Sequence, residues 1–577
     1  MEGDCSQKKK KAELIDSMFS WSLDDIFNED LYKDKVEKIP ESFQSEQHYL
    51  GSFVFPLLEE TRAELSSSME VICRAPFAKV VSVKESKPFG KLLYNIQIDS
   101  WKNRFYNRGK EPYRTLPGDV FVISDVKPEN ISDLQQSGRT WTLGLVPKVA
   151  ENRNSLNVGD STATFLIVKA SKDVELIDRL QKLLYVVFLM NITTNNRVWD
   201  SLHLFKNVNV IKEVLCTNSM VEEICNQCSL YSNAICAERL ALKLSPVLNE
   251  SQRAAVLTSL CKMHCNHKSS VELIWGPPGT GKTKTVSMLL WTVLGMNYRI
   301  LTCTPTNVAI TELASRVVKL VKEAFENESK RGELFCSLGD LLLFGNKDRL
   351  KIGSDLEEIY LDYRIDRLSE CFGQLTGWKH CFTSMINFLE GCVSQYHIFL
   401  ENTLCKKKES KKKNQRCEEV KSFGEFLREQ FKSIALPLRR CVQIFCTHVP
   451  KSVIMEHNFQ NIVFLVELLD SFESLSYQND AFSAELEELF SHPEAVQDSP
   501  YSFVRTFTLQ YMRTQLLCVL KTLRSSLDHL KLPSSNNKHS IRKFCFQRAS
   551  LIFCTASSSY KLHSVKMEPL NLLVIDE

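Results

Sequence analysis

The eight residues Gly276-Pro277-Pro278-Gly279-Thr280-Gly281-Lys282-Thr283 constrain this chain more than any other stretch of it. They match a phosphate-binding loop, in which glycines let backbone N–H groups converge on phosphate oxygens. The mostly apolar segment Val271 to Trp275 ahead of the loop predicts a strand. The residues from about Thr283 to Leu294 predict a helix, whose N-terminus adds partial positive charge at the same point. In that setting Lys282 is expected to reach the β- and γ-phosphates of ATP, and Thr283 to offer its hydroxyl to Mg²⁺. A second unit repeats the pattern, with Arg299 to Cys303 as strand, Thr304-Pro305-Thr306-Asn307 as turn and a helix from Val308 onward. Strand, turn and helix in this order belong to a parallel sheet covered by helices, an α/β fold.

Two more elements fit a nucleotide site. Upstream, Leu248-Asn249-Glu250-Ser251-Gln252 supplies a Gln amide, which carries both a donor and an acceptor and can pair with an adenine edge in a bidentate manner. At the other end, the apolar run Leu572 to Ile575 leads into Asp576-Glu577. One carboxylate there would hold Mg²⁺ and the next would polarise an attacking water, so Lys282, Asp576 and Glu577 are the candidate catalytic residues and Thr283 and Asp576 the candidate metal ligands. Gln252 and Gly276, Pro277, Pro278, Gly279, Thr280, Gly281, Lys282 and Thr283 are the candidate nucleotide contacts. Because the acidic pair follows Lys282 only after the long stretch 284–575, the helical residues between them must be an insertion.

With 577 residues, 44% of them hydrophobic, the chain can bury several cores and divides into more than one domain. Residues 1–70 are polar and helical, with Leu23, Ile26, Phe27 and Leu31 at helical spacing. Residues 71–170 hold short β-rich runs, Lys79 to Val83, Leu92 to Ile98, Asp119 to Ile123 and Ala163 to Val168, separated by turn formers such as Pro117-Gly118, and predict a small β-barrel. Residues 171–246 predict a helical stalk, 247–323 with 546–577 the nucleotide-binding domain, and 324–545 the helical insertion. The formal charge of +3 is too near balance for whole-protein charge to indicate a nucleic-acid partner. Met1 to Lys11 has no apolar core for a signal peptide, and the longest apolar run, Leu183 to Met190, falls well short of the roughly 18 residues of a membrane span. No membrane partner is therefore expected, and the 20 cysteines of an intracellular chain, nuclear or cytoplasmic, should be mostly reduced and unpaired.

The set Leu248 to Gln252, Gly276 to Thr283, Thr304 to Asn307, Cys554-Thr555-Ala556-Ser557-Ser558-Ser559 and Val574 to Glu577 resembles the Q motif and motifs I, Ia, Ic and II of the upframeshift/senataxin branch of superfamily 1 helicases. It is most similar to the plant senataxin-like proteins, and Leu343-Phe344-Gly345-Asn346-Lys347-Asp348-Arg349 resembles a further segment common in them. The likeness covers residues from roughly 75 to 577. It implies a RecA-like P-loop NTPase domain with an inserted or appended small β-barrel and a large helical insertion. It also implies that Thr304, Thr306, Asn307, Thr555 and Ser557 face the backbone of single-stranded RNA or DNA, to which hydroxyl and amide groups are suited without reading sequence. In that family the chain continues past motif II into a second RecA-like domain that supplies arginine fingers. By the resemblance this chain is expected to be truncated after motif II and to turn over ATP poorly by itself.

The expectation is thus an ATP- and Mg²⁺-dependent helicase or translocase acting on single strands. The alternative is a catalytically inactive regulatory module that binds ATP and nucleic acid without turnover. Weaker signals carry the blander reading. Cys261, His264, Cys265 and His267, with Cys225 and Cys228, match no usual zinc spacing. The lysine runs at 8–11 and 406–413 read first as solvated loops and only second as nuclear-import signals, and Phe105, Tyr106 and Trp141 read as barrel packing before base stacking.

Overall fold

This computed structural model describes residues 13–85, 92–103, 113–147, 164–174, 183–203, 208–215, 246–263, 271–296, 298–328, 336–411, 421–478, 483–491, 503–533 and 537–576. The chain forms two compact units, Met1–Glu223 and Ile224–Glu577.

In the first unit the β-rich runs close into a barrel. Its strands are β1 (Phe77–Glu85), β2 (Leu93–Ile98), β3 (Asp119–Ser124), β4 (Trp141–Leu145), β5 (Thr164–Ala170) and β6 (Tyr185–Asn191), in the order β1-β2-β5-β4-β3-β6. All pairings are antiparallel, and closure leaves no exposed edge. Every residue of β3 is buried because the strand is covered on both faces. Phe121 and Ile123 point into the barrel with Tyr94, Ile96 and Val168. Val120 and Val122 point outward, onto α1 (Leu14–Ser20), α2 (Leu23–Phe27) and α3 (Val54–Glu70) through Met18, Ile26 and Leu65. The turn into β3 needs glycine: Gly118 has φ of 88°, and a Cβ there would lie 2.2 Å from Thr193 Oγ1.

Strand β6 lies inside 171–246, where a helical stalk was expected. Its run Tyr185-Val186-Val187-Phe188 is too short for apolar spacing to tell strand from helix, and pairing with both β1 and β3 decides the matter. Helices resume at Thr193–His203 and Val208–Leu215, while 175–182, 204–207 and 216–245 of the expected stalk lie outside the described residues.

The second unit is built on a parallel sheet in the order β10-β7-β9-β8, with β7 (Ile300–Thr304), β8 (Leu341–Leu343), β9 (Leu551–Thr555) and β10 (Leu572–Ile575). Successive residues of a strand face opposite sides, and the two sides here meet different cores. Leu341, Leu343, Leu551 and Phe553 pack with α4 (Glu250–Met263), α5 (Lys282–Leu294) and α6 (Asn307–Glu328). Leu342, Ile552 and Cys554 pack with α7 (Leu361–Cys371), α8 (Trp378–Lys411), α9 (Phe423–His448), α10 (Glu456–Gln478), α11 (Phe503–Asp528) and α12 (Lys538–Arg548). Helix α9 starts at a capping box, with the Ser422 side chain on the Glu425 N–H and the Glu425 carboxylate on the Ser422 N–H. Helices α7 to α12 all lie between β8 and β9 in sequence.

Two expectations for this unit need correction. Val271 to Trp275 forms no strand: Leu273 and Trp275 are 90% and 89% exposed, and no ladder reaches them. A strand needs a neighbouring backbone, which apolar composition cannot supply. β10 pairs with β7 only among the described residues, and its Leu573 and Ile575 stay exposed. Conversely, the three-residue β8 falls within 324–545, where the sequence predicts helix, and is too short to show a period of its own.

Parallel strands bring all their carboxyl ends to one side of the sheet, where ligands of open α/β sheets collect. Asp576 follows β10, Thr306 and Asn307 follow β7, Ser557 follows β9, and Phe344 and Gly345 follow β8. Among the described residues no helix is long and apolar enough to cross a membrane.

Candidate nucleotide site

The loop Gly276 to Thr283 turns on two glycines in the left-handed region, Gly279 with φ of 81° and Gly281 with φ of 85°. Gly281 is the N-cap residue of α5, so the first N–H groups of that helix open onto the loop. The loop is braced from inside. Thr280 Oγ1 donates to the Pro277 carbonyl at 2.8 Å, and Lys282 Nζ donates to the Gly276 carbonyl at 2.7 Å and to the Pro277 carbonyl at 3.2 Å. Lys282 thus lies along the cradle, with its ammonium held at the residues that would meet a phosphate.

Gln252 braces the same loop from outside. At the start of α4, its Nε2 donates to the Thr280 carbonyl at 2.9 Å, while its Oε1 accepts from the Asn249 N–H at 3.2 Å. Asn249 Oδ1 in turn accepts from the Gln252 N–H at 2.9 Å and from Ser251 Oγ at 3.0 Å, which caps the helix and fixes where the Gln side chain points. Expected as a base contact, Gln252 here engages the loop backbone.

The acidic element arrives from the far end of the chain. β10 runs beside β7, and the Asp576 N–H donates to the Cys303 carbonyl at 3.0 Å. The Asp576 side chain is buried and comes close enough to the Thr283 hydroxyl and the Lys282 ammonium for both to act on its carboxyl. Burial raises its carboxyl above the usual range, while the Thr283 hydrogen bond and Lys282 pull it back down. Glu312, in α6, adds a negative charge that raises it further. Sequence reasoning passed over Glu312, because a Glu paired with Arg316 four residues on, at 2.7 Å, looks like ordinary helix-surface chemistry. Two hard oxygen donors, Thr283 Oγ1 and the Asp576 carboxylate, therefore come to the same side of the phosphate loop, a donor set that fits Mg²⁺. Glu577 lies outside the described residues, as do Cys225, Cys228, His264, Cys265, His267, Phe105, Tyr106 and Lys8 to Lys11.

The five residues expected to face nucleic acid divide. Thr304 is fully buried, and its Oγ1 donates to the Thr306 carbonyl at 2.7 Å, so it shapes the turn after β7 and cannot touch a ligand. Thr306 and Asn307 are more open, with Thr306 Oγ1 accepting from the Ala309 N–H at 3.2 Å at the start of α6. Thr555 is nearly buried and accepts from the Ser558 N–H at 3.3 Å, capping the short helix Ala556–Ser559, whereas Ser557 is half-buried on that helix. Thr304 and Thr555 look like contact residues in the sequence because turn-forming and phosphate-binding hydroxyls are the same residue types.

Comparison with known proteins agrees with this geometry. A family model described as an AAA domain matches residues 247–577, and one described as a domain of unknown function matches residues 10–222. The chain is similar to the probable helicase senataxin of Homo sapiens, 25% identical over 260 residues that make up 42% of this chain and 9% of that protein. It is similar to the DNA polymerase alpha-associated DNA helicase A of Saccharomyces cerevisiae, 24% identical over 215 residues, 35% of this chain and 29% of the relative. It is also similar to the regulator of nonsense transcripts 1 of Dictyostelium discoideum, 30% identical over 153 residues, 25% of this chain and 10% of the relative. The chain spans less than a third of the length of each of these relatives.

Proposed function

Because the chain belongs to the AAA-domain family and, within it, to the senataxin/Upf1 branch of superfamily 1 helicases, we propose that it binds ATP with Mg²⁺ in the loop Gly276 to Thr283 and couples this to a single strand of RNA or DNA. The observation that carries the reading is the convergence of Lys282, Thr283 and Asp576, from two distant parts of the sequence, at the carboxyl end of one parallel sheet. The loop N–H groups and the α5 N-terminus would cradle the phosphates. Lys282 would leave the Gly276 and Pro277 carbonyls for the β- and γ-phosphates, exchanging neutral acceptors for anionic ones. Thr283 and Asp576 would hold Mg²⁺, which when bound supplies positive charge to the phosphate oxygens. Glu577 would orient and polarise the attacking water. Gln252 would report adenine occupancy to the loop, since its amide already holds the Thr280 carbonyl.

In this reading the barrel is an appended domain, the helices between β8 and β9 are an insertion in the motor domain, and the single strand passes over Thr306, Asn307 and Ser557. Contacts of that kind address the backbone, so binding should be nearly independent of sequence and should weaken as salt rises. Fluorescence anisotropy with labelled single-stranded and duplex oligonucleotides tests this. A strong preference for one sequence, or none for single strands over duplex, contradicts it.

A further inference from the structure

A second concavity lies at the other end of the strand row from Asp576. It has a volume of about 530 Å³ and opens at the carboxyl end of β8, lined by Phe344 and Tyr360 from below and by Arg542, Lys543, Lys561 and Lys566 at its walls. The floor is aromatic. Phe344 and Phe546 are buried and meet edge to face with ring centres 5.1 Å apart, and Tyr360 is buried beside them. The walls are cationic and come from two separate segments. Helix α12 presents Arg542 and Lys543 to solvent, and the stretch after β9 presents Lys561 and Lys566. Both walls are tied to the start of β7: the Arg299 guanidinium donates to the Phe546 carbonyl at 2.8 Å, near the end of α12, and to the Glu568 carbonyl at 3.1 Å.

Besides Lys561, the cations Arg542, Lys543 and Lys566 line this cavity with the carboxylate of Asp362. Asp362 takes Arg542 Nη2 at 2.6 Å and the Tyr360 hydroxyl at 3.1 Å. Exposed lysines on a convex surface are ordinarily just solvated. Here they converge over a concavity with a buried aromatic floor, where like charges repel and focus a positive potential that favours a polyanion. The sheet order β10-β7-β9-β8 then fixes the cavity's place. Neighbouring strands lie about 4.8 Å apart, so the Phe344-Gly345 edge of the cavity, just after β8, stands about one strand spacing from the turn after β9 that carries Ser557.

We propose that this cavity is a second phosphate-binding station for the single strand, seating backbone phosphates beyond Ser557 on Arg542, Lys543 and Lys566. Asp362 is its counterweight, holding Arg542 until a phosphate replaces the carboxylate. The proposal rests on the nucleic-acid reading above and adds residues to it that the helicase motifs do not include.

The test is anisotropy of labelled oligothymidylates of increasing length with the full chain, its Lys543→Ser/Lys566→Ser double variant and Asp362→Asn. The double variant should lose affinity for long oligonucleotides only, with short ones and Mg-ATP bound as before. The slope of log affinity against log salt should become shallower by about 0.7 for each backbone phosphate that the protein no longer neutralises. Asp362→Asn should bind long oligonucleotides severalfold more tightly, a gain that misfolding cannot produce. If the parent binds single strands while both variants match it at every length, the cavity proposal falls alone. If the parent binds no oligonucleotide, the nucleic-acid reading falls and takes this proposal with it. Loss of tripolyphosphate binding in the double variant, with all oligonucleotides retained, overturns the proposal in favour of a small-anion site.

Discussion

Replacing Gly281 with alanine strikes the nucleotide site at its most constrained atom. The residue has φ of 85°, and a Cβ built there would lie 2.8 Å from Gln252 Nε2. Two costs follow. A non-glycine residue held in the left-handed region costs about 1–2 kcal/mol. The Gln252 amide must also withdraw from the Thr280 carbonyl, which it meets at 2.9 Å, losing a hydrogen bond of about 0.5–1.5 kcal/mol. Together these disfavour the phosphate-ready loop by about 1.5–3.5 kcal/mol, or about tenfold to a few hundredfold in ATP affinity at about 1.4 kcal/mol per decade. Because the loop is largely exposed, it can relax locally, and the melting temperature should hardly change. Titration with a fluorescent ATP analogue in Mg²⁺ measures the first effect and thermal unfolding the second. The test sharpens as a cycle with Gln252→Ala. Without the amide the steric part vanishes, and Gly281→Ala should then cost only the backbone part. Strict additivity of the two substitutions, or parental affinity in Gly281→Ala, refutes the argument.

Three further outcomes follow from burial and charge. Because burial raises the Asp576 carboxyl, its ionised form costs stability at neutral pH, and that cost fades as pH falls into the raised titration range; in metal-free buffer Asp576→Asn should melt above the parent at pH 7 yet lose the Mg²⁺-dependent gain in ATP affinity, and equal melting would speak against a desolvated carboxylate. Burial, with Arg364 and Arg367 adding to it, pushes the His448 imidazole down to about 3; the unfolded chain protonates first, near pH 6.5, so stability should drop as pH falls from about 6.5 toward 3 by up to about 1.4 kcal/mol per unit, and urea unfolding of His448→Gln should show a flatter slope. Phe553 is fully buried in β9, and Phe553→Ala should lower unfolding free energy by about 3–5 kcal/mol in urea titrations.

What was legible in the sequence were features that carry their own local geometry. The strand Leu572 to Ile575 is found with those limits, and α5 begins within a residue of its expected start because a glycine-rich loop ahead of an apolar helix has few alternative structures. What was not legible depends on partners. Val271 to Trp275 has strand composition without a ladder, while Tyr185 to Asn191 lies in a helical-looking region and becomes a strand because β1 and β3 flank it. At the site the residue types were legible and their direction was not. Thr304 faces inward onto its own turn, Gln252 faces the loop backbone, and Glu312 enters the field of Asp576 only through folding. The cationic cavity at β8 was invisible for the same reason, since its walls come from residues far from β8 in sequence and no motif spans them.

The central claim is that Gly276 to Thr283 and Asp576 form one Mg-ATP site. Isothermal titration of the full chain with a non-hydrolysable ATP analogue, with and without Mg²⁺, tests it most directly when the same titration is run on Lys282→Ala. A single site is expected, tightened by Mg²⁺, and lost or weakened by at least tenfold in Lys282→Ala, whose melting temperature should change little because the ammonium bridges carbonyls of an exposed loop and is only a secondary influence on Asp576. Binding unchanged by Lys282→Ala, or indifferent to Mg²⁺, would contradict it.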